Sequence, residues 1–203
     1  MVTRIKKTIT VRGDDSRENL GLVHVYTGDG KGKTTASLGL AMRALGNGYR
    51  VYMIQFLKSG FSGELKTAEI FKDDMNIQQY GVDAIKERLQ KERGAKEEST
   101  FVFQPDDMEK DAARQGLKIA QEVISSGEYN LVILDEINCA LDKGLVTIEE
   151  AKSLIDNHEK VELVFTGRDA PEQLFQYADY VSVIQRLKHP WEKGIKARKG
   201  IEY

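Results

Sequence analysis

Thr27-Gly28-Asp29-Gly30-Lys31-Gly32-Lys33-Thr34-Thr35 follows directly on the apolar run Leu22-Val23-His24-Val25-Tyr26. A short β-branched run, a glycine-rich turn and a helix-forming stretch from Lys33 make a phosphate-binding loop. The glycines let the backbone curl so that successive N–H groups face one anion. Lys33 adds a point charge, and the Thr34 hydroxyl falls where such loops hold Mg2+. The amino end of the following helix aims its free N–H groups and its dipole at the same place. Gly28, Asp29, Gly30, Lys31, Gly32, Lys33, Thr34 and Thr35 are therefore the expected contacts of a nucleoside triphosphate. The common spacing G-x-x-x-x-G-K-[ST] requires glycine at position 27, where this chain has Thr27; its loop reads G-x-x-x-G-K-T from Gly28.

Working outward, further apolar runs occur at Val51–Phe56, Leu131–Leu134, Val161–Phe165 and Tyr180–Ile184, with a weaker one at Asn76–Tyr80. Their near-continuous β-branched and aromatic content predicts strands buried on both faces. Helical stretches lie between them. Lys33–Leu45 is rich in Ala and Leu and ends at Gly46-Asn47-Gly48. Asp106 and Glu109 stand at capping-box spacing before a long stretch reaching Ile124, and Thr147 and Glu150 repeat that spacing before Ala151–Ile155. Pro171 suits the first turn of another short helix. Strands alternating with helices predict an α/β fold: a P-loop NTPase-like (RecA-like), mostly parallel sheet with helices on both faces. Residues 1–20 are polar and read as a mobile arm, leaving residues 21–203 as a single domain. The charged stretch 83–98 reads as a solvated excursion.

Leu131-Val132-Ile133-Leu134-Asp135-Glu136 is an apolar strand ending in two carboxylates. In P-loop proteins such a strand lies beside the loop and its acidic end faces the metal. Asp135, Glu136 and Thr34 offer the oxygen donors that Mg2+ prefers. Lys33, Thr34 and Glu136 are the expected catalytic set. Thr166 and Arg168 follow another strand and sense phosphate or simply form a turn before a helix. Gln55, Lys58, Gly60 and Glu64 follow the second strand and belong to the site edge. Arg43, on the helix after the loop, is a surface residue unless that helix turns it back toward ribose or phosphate, where it would join the ATP contacts. His24, His158 and His189 show no metal-ligand spacing, and no Ser-His-Asp pattern is present.

The chain has 203 residues and a net charge of −2, with a pI of about 6.0. This balance gives no push toward nucleic acid or anionic membranes. The one cysteine, Cys139, rules out an internal disulfide and reads as a small buried hydrophobe. No apolar run approaches the ~20 residues of a membrane helix, and the polar, basic N-terminus is not a signal peptide. A cytoplasmic protein is expected.

Several stretches resemble the P-loop class of corrinoid adenosyltransferases: TGDGKGKTTAS from Thr27, MRALGNGYRV from Met42, and QFLKSG from Gln55 with Gly63-Glu64. LDEINCALDKGLV from Leu134, TGRDAPEQL from Thr166 and KHPWEKGIKARKGIEY from Lys188 also match, in the family's order. The loop that begins at Gly28 is the family's own form, and generic P-loop ATPases lack such a tail. The resemblance implies transfer of the 5′-deoxyadenosyl group of ATP to the cobalt(I) of a corrinoid such as cob(I)alamin, with release of inorganic triphosphate. It implies Mg2+, a reductase that supplies cobalt(I), and a homodimer. It implies that Phe101 and Phe103 face the corrin and exclude a lower axial ligand; the family often has Trp at the second position. It also implies an arm that closes over a site. On the same fold, a small-molecule kinase or ATPase would need a lid, for which only Arg88 and Arg93 of the charged stretch are candidates.

Overall fold

Strand β1 (Val23–Thr27) leads through the phosphate loop into helix α1 (Lys33–Gly46). The computed structural model describes residues 17–60, 62–81 and 107–203. Arm residues 1–16, the charged stretch 83–98, Asp106, Phe101 and Phe103 lie outside the described residues. The chain continues through β2 (Val51–Phe56), α2 (Gly63–Ile70), β3 (Met75–Tyr80) and α3 (Asp107–Ser125). Then follow β4 (Leu131–Asp135), α4 (Ile137–Asp142), α5 (Ile148–Asp156), β5 (Glu162–Thr166), α6 (Glu172–Phe175) and β6 (Tyr180–Val183).

The six strands form one sheet in the order β3-β2-β4-β5-β1-β6, and every pairing is parallel. Side chains alternate across each strand, and each face has its own cover. Val51, Met53, Leu131, Ile133 and Val164 pack with Ala41 and Ala44 of α1 and Ala68 of α2. Ile54, Phe56, Val132, Leu134, Leu163 and Phe165 pack with α3, α4, α5 and α6 through Leu117, Ile137, Leu154 and Leu174. β2 and β4 are buried along their whole length, as their unbroken apolar runs predict. Thr147 and Glu150 cap α5: the Thr147 hydroxyl accepts from the Glu150 N–H, and the Glu150 carboxylate accepts from the Thr147 N–H.

One expectation is corrected. β6 is exposed at all four of its residues. It pairs with β1 on one side only, and no described helix covers it, so its apolar content reflects an edge and not a core. β5 is inserted between β4 and β1, yet the acidic end of β4 lies beside the loop, where Thr34 donates to Asp135.

The entry to β1 is fixed from outside the strand. Glu162 Oε2 accepts from the N–H groups of Gly21 and Leu22, each at 3.0 Å, and its Oε1 lies 2.7 Å from His24 Nε2. The His24 ring stacks on Tyr180 with centroids 4.5 Å apart. Burial alone would raise the Glu162 pKa. The His24 contact and the two backbone donors outweigh it and hold the carboxyl below its ordinary value.

Candidate active site

The loop runs along the carboxyl end of the sheet, where open α/β folds bind ligands. Two of its glycines are required by a neighbour. Gly28 has φ of 103°, and a Cβ there would lie 2.4 Å from the Ile184 carbonyl oxygen; at Gly30 a Cβ would lie 2.8 Å from Gln185 backbone. The segment after β6 presses on the loop and is bonded to it: Gly30 N–H donates to Ile184 O, and Ile184 N–H donates to Thr27 O, both at 2.8 Å. Thr27, which replaces the usual first glycine, ends β1 and accepts from the Ala170 N–H through its hydroxyl. Asp29 turns toward the same tail and accepts from the Arg186 N–H at 3.0 Å. That bond is the leading reason its pKa lies below the ordinary value.

Lys33 is 8% exposed, and its ammonium donates to the carbonyls of Gly28 and Gly30, both at 2.7 Å. Burial, and then the Arg168 guanidinium nearby, lower its pKa. An anion on the loop would oppose both effects. Thr34 Oγ1 donates to Asp135 Oδ1 at 2.8 Å, so loop and β4 are joined directly. Asp135 is fully buried and accepts four donors. Thr34 and Thr166 (2.6 Å) reach Oδ1; Gln55 Nε2 (3.2 Å) and Lys58 Nζ (2.5 Å) reach Oδ2. Its negative charge thus serves to hold Thr34 in place. The Thr166 hydroxyl, spent on Asp135, also accepts from the Glu136 N–H at 3.3 Å, so it orients the site and is not free to sense phosphate. Beyond Asp135, Gln55 Nε2 also donates to Glu64, and its oxygen accepts from Gln79.

Glu136 sits at the amino end of α4 in the left-handed region, with φ of 62°. This conformation costs a non-glycine residue about 1 kcal/mol or more, and such strain clusters at functional sites. Its carboxylate accepts from Cys139 Sγ at 3.0 Å. Cys139 is half-buried, not fully buried as its apolar setting predicts. Burial first, then the Glu136 contact, push its thiol up to about 12. It is no thiolate nucleophile at neutral pH. Among the described residues no group of three or more His, Cys, Asp or Glu gathers around a point. An ion at the loop would therefore rest on the Thr34 hydroxyl, Glu136, phosphate oxygens and water, an all-oxygen set that suits Mg2+. Asp135, with every acceptor position filled, would act through Thr34.

Arg168 is exposed and close enough to affect both Lys33 and Asp29. Arg43 is elsewhere. It lies in the last turn of α1, about 15 Å along the helix from Lys33 at 1.5 Å per residue, where its charge is felt by Tyr26. The structure does not bring it to the loop of its own chain. Lys31 and Thr35 are exposed at the loop rim.

The family profile of the ATP:corrinoid adenosyltransferases BtuR/CobO/CobP matches residues 19–203. This chain belongs to that family. It is 28% identical over 204 residues to a corrinoid adenosyltransferase of Pseudomonas aeruginosa, covering 98% of this chain and 92% of that one. It is likewise 28% identical to the corrinoid adenosyltransferase of Escherichia coli K12, covering 98% and 94%. A corrinoid adenosyltransferase of Sinorhizobium is 31% identical over 188 residues, covering 90% and 80%. The family match spans the tail that presses on the loop. Sequence reasoning missed this packing. Its signal was the pair Gly28 and Gly30, where a Cβ would meet the Ile184 and Gln185 backbone.

Proposed function

We propose that this adenosyltransferase joins the 5′ carbon of ATP to the cobalt(I) of a corrinoid and releases inorganic triphosphate. The Co–C bond forms with the cobalt electron pair as the C5′–O bond breaks, and that bonding pair leaves on the triphosphate. What supports the reading, beyond family membership, is a phosphate loop tied to a buried carboxylate, with no activated nucleophile beside it among the described residues. Cobalt(I) is itself the nucleophile, so the protein needs only to hold, orient and neutralise. Lys33, the loop N–H groups and the amino end of α1 receive the triphosphate; donors fixed in advance where charge develops typically contribute ~3 kcal/mol each. Asp135 and Thr166 hold Thr34, and Glu136 stands beside it. Bound Mg2+ would neutralise charge on the departing phosphates.

Phe101 and Phe103 remain the proposed corrin wall, and a homodimer, a cytoplasmic location and a reductase that delivers cobalt(I) complete the proposal. No described helix is long and apolar enough to cross a membrane. The deciding experiment mixes the protein with MgATP and chemically reduced cobalamin, follows the visible spectrum, and identifies the phosphate product. A spectral change to the alkylated corrinoid with stoichiometric triphosphate is expected; ADP formation without that change would overturn the assignment in favour of a kinase or ATPase.

A further inference from the structure

Of the four donors on Asp135, three are neutral groups: Thr34, Thr166 and Gln55. The fourth is Lys58, the only one that carries charge, and its side chain is 30% exposed while that of Asp135 is fully buried. Its backbone is held unusually firmly. Leu57, just before it, has φ of 58° and donates its N–H to Tyr80 O at 3.2 Å. Gly81 packs so closely that a Cβ there would lie 2.3–2.4 Å from three backbone atoms of Lys58. A strained residue on one side and an obligatory glycine on the other fix where the Lys58 stem starts. The stem itself is flexible and its ammonium can exchange one anion for another.

The reaction proposed above expels the whole triphosphate, so breaking the C5′–O bond adds charge to a group already highly anionic. Lys33 is a single ammonium. Besides Arg168, which acts on Lys33, Lys58 is a cation on the same sheet edge, and the Asp135 carboxylate links it to the Thr34 hydroxyl.

We infer that Lys58 is a second triphosphate-binding lysine: its ammonium rests on Asp135 and contacts the triphosphate when nucleotide is bound. The inference rests on the adenosyltransferase reading, but its test does not depend on turnover. Inorganic triphosphate with Mg2+ is titrated calorimetrically into the wild-type protein and into Lys58→Met, Lys58→Gln and Lys58→Arg, with melting curves alongside. Lys58→Met and Lys58→Gln should each lose tenfold or more in affinity, and Lys58→Arg should stay within about threefold of wild type. If Lys58 only offsets the charge of Asp135, the neutral variants melt lower but bind triphosphate as well as wild type or better, and the inference is overturned. Should the neutral variants not fold, the wild-type protein still decides: its Lys58 ammonium NMR signal, assigned by its loss in Lys58→Arg, must shift during the titration, and an unmoved signal overturns the inference. A wild-type protein that binds no triphosphate would instead overturn the reading of the site as a whole.

Discussion

At the residue scale the site is a set of groups whose freedom is already spent. Lys33 bridges two carbonyls, Thr34 and Thr166 share one carboxylate oxygen, and Asp135 has no lone pair to spare. Lys33→Ala and Thr34→Ala should each slow adenosylation at least ~100-fold while the protein stays folded, since each removes a charge or metal contact at the reacting centre. Steady-state rates at saturating ATP, with circular dichroism as the control, test this; near wild-type turnover of folded Lys33→Ala would refute the assignment. Glu136 has no water to deprotonate, so Glu136→Gln should raise the Mg2+ concentration needed for half-maximal rate, and added metal should recover part of the activity. Loss of activity at every metal concentration with unchanged Mg2+ dependence would count against a metal-side role. Much of this was legible in the sequence, because GKTT after a strand and DE after another are local patterns. Thr166 was not. Its neighbours allow a phosphate sensor or a turn residue, and only the insertion of β5 between β1 and β4 makes it the bridge to Asp135.

At the scale of elements, β1, β2, β4, β5 and the two long helices were readable because each buries an apolar face. α2 and α4 were not, since eight and six residues give too short a period, and neither has a start signal like the capping box of α5 or the Pro171 of α6. β6 was misread as a core strand because apolar content cannot distinguish a covered strand from an uncovered edge. The start of β1 carries a pH dependence of its own. Glu162 has a folded-state pKa below its ordinary value, so it contributes stability that is fully present above that value and is lost as pH falls from about 4.5 toward the folded pKa. Glu162→Gln should flatten the acid limb of a plot of melting temperature against pH and lower stability at neutral pH; a limb of unchanged slope would assign the acid sensitivity to other carboxyls. Gly28→Ala forces a Cβ against Ile184 O at a left-handed φ. It should weaken nucleotide binding and separate the tail from the loop, read as faster amide exchange at Ile184.

At the scale of the whole molecule, two substrates must meet. We place the nucleotide half at the carboxyl ends of β1, β2, β4 and β5. The corrin half is assigned to Phe101 and Phe103 by resemblance alone. Replacing either ring with Ala should leave ATP affinity within about twofold. It should slow reaction of cob(II)alamin under a mild reductant far more than that of preformed cob(I)alamin, because only the former needs its lower ligand displaced. Equal slowing of both, or a collapse of the melting temperature, would make the rings ordinary packing residues, whose truncation costs ~3–5 kcal/mol.

The bond from Arg186 to Asp29 joins residues 157 positions apart, and the Ile184 contacts with the loop are nearly as distant. A ribosome adding about 5–20 residues per second finishes the phosphate loop roughly 8 to 30 seconds before the strand that braces it. Throughout that interval the nascent chain carries every residue of its nucleotide motif without the tail backbone that contacts the loop in the folded protein. A chain cut short before β6 would lack the Ile184 contacts to Thr27 and Gly30, so ATP should protect its loop from amide exchange less than it protects the full-length loop.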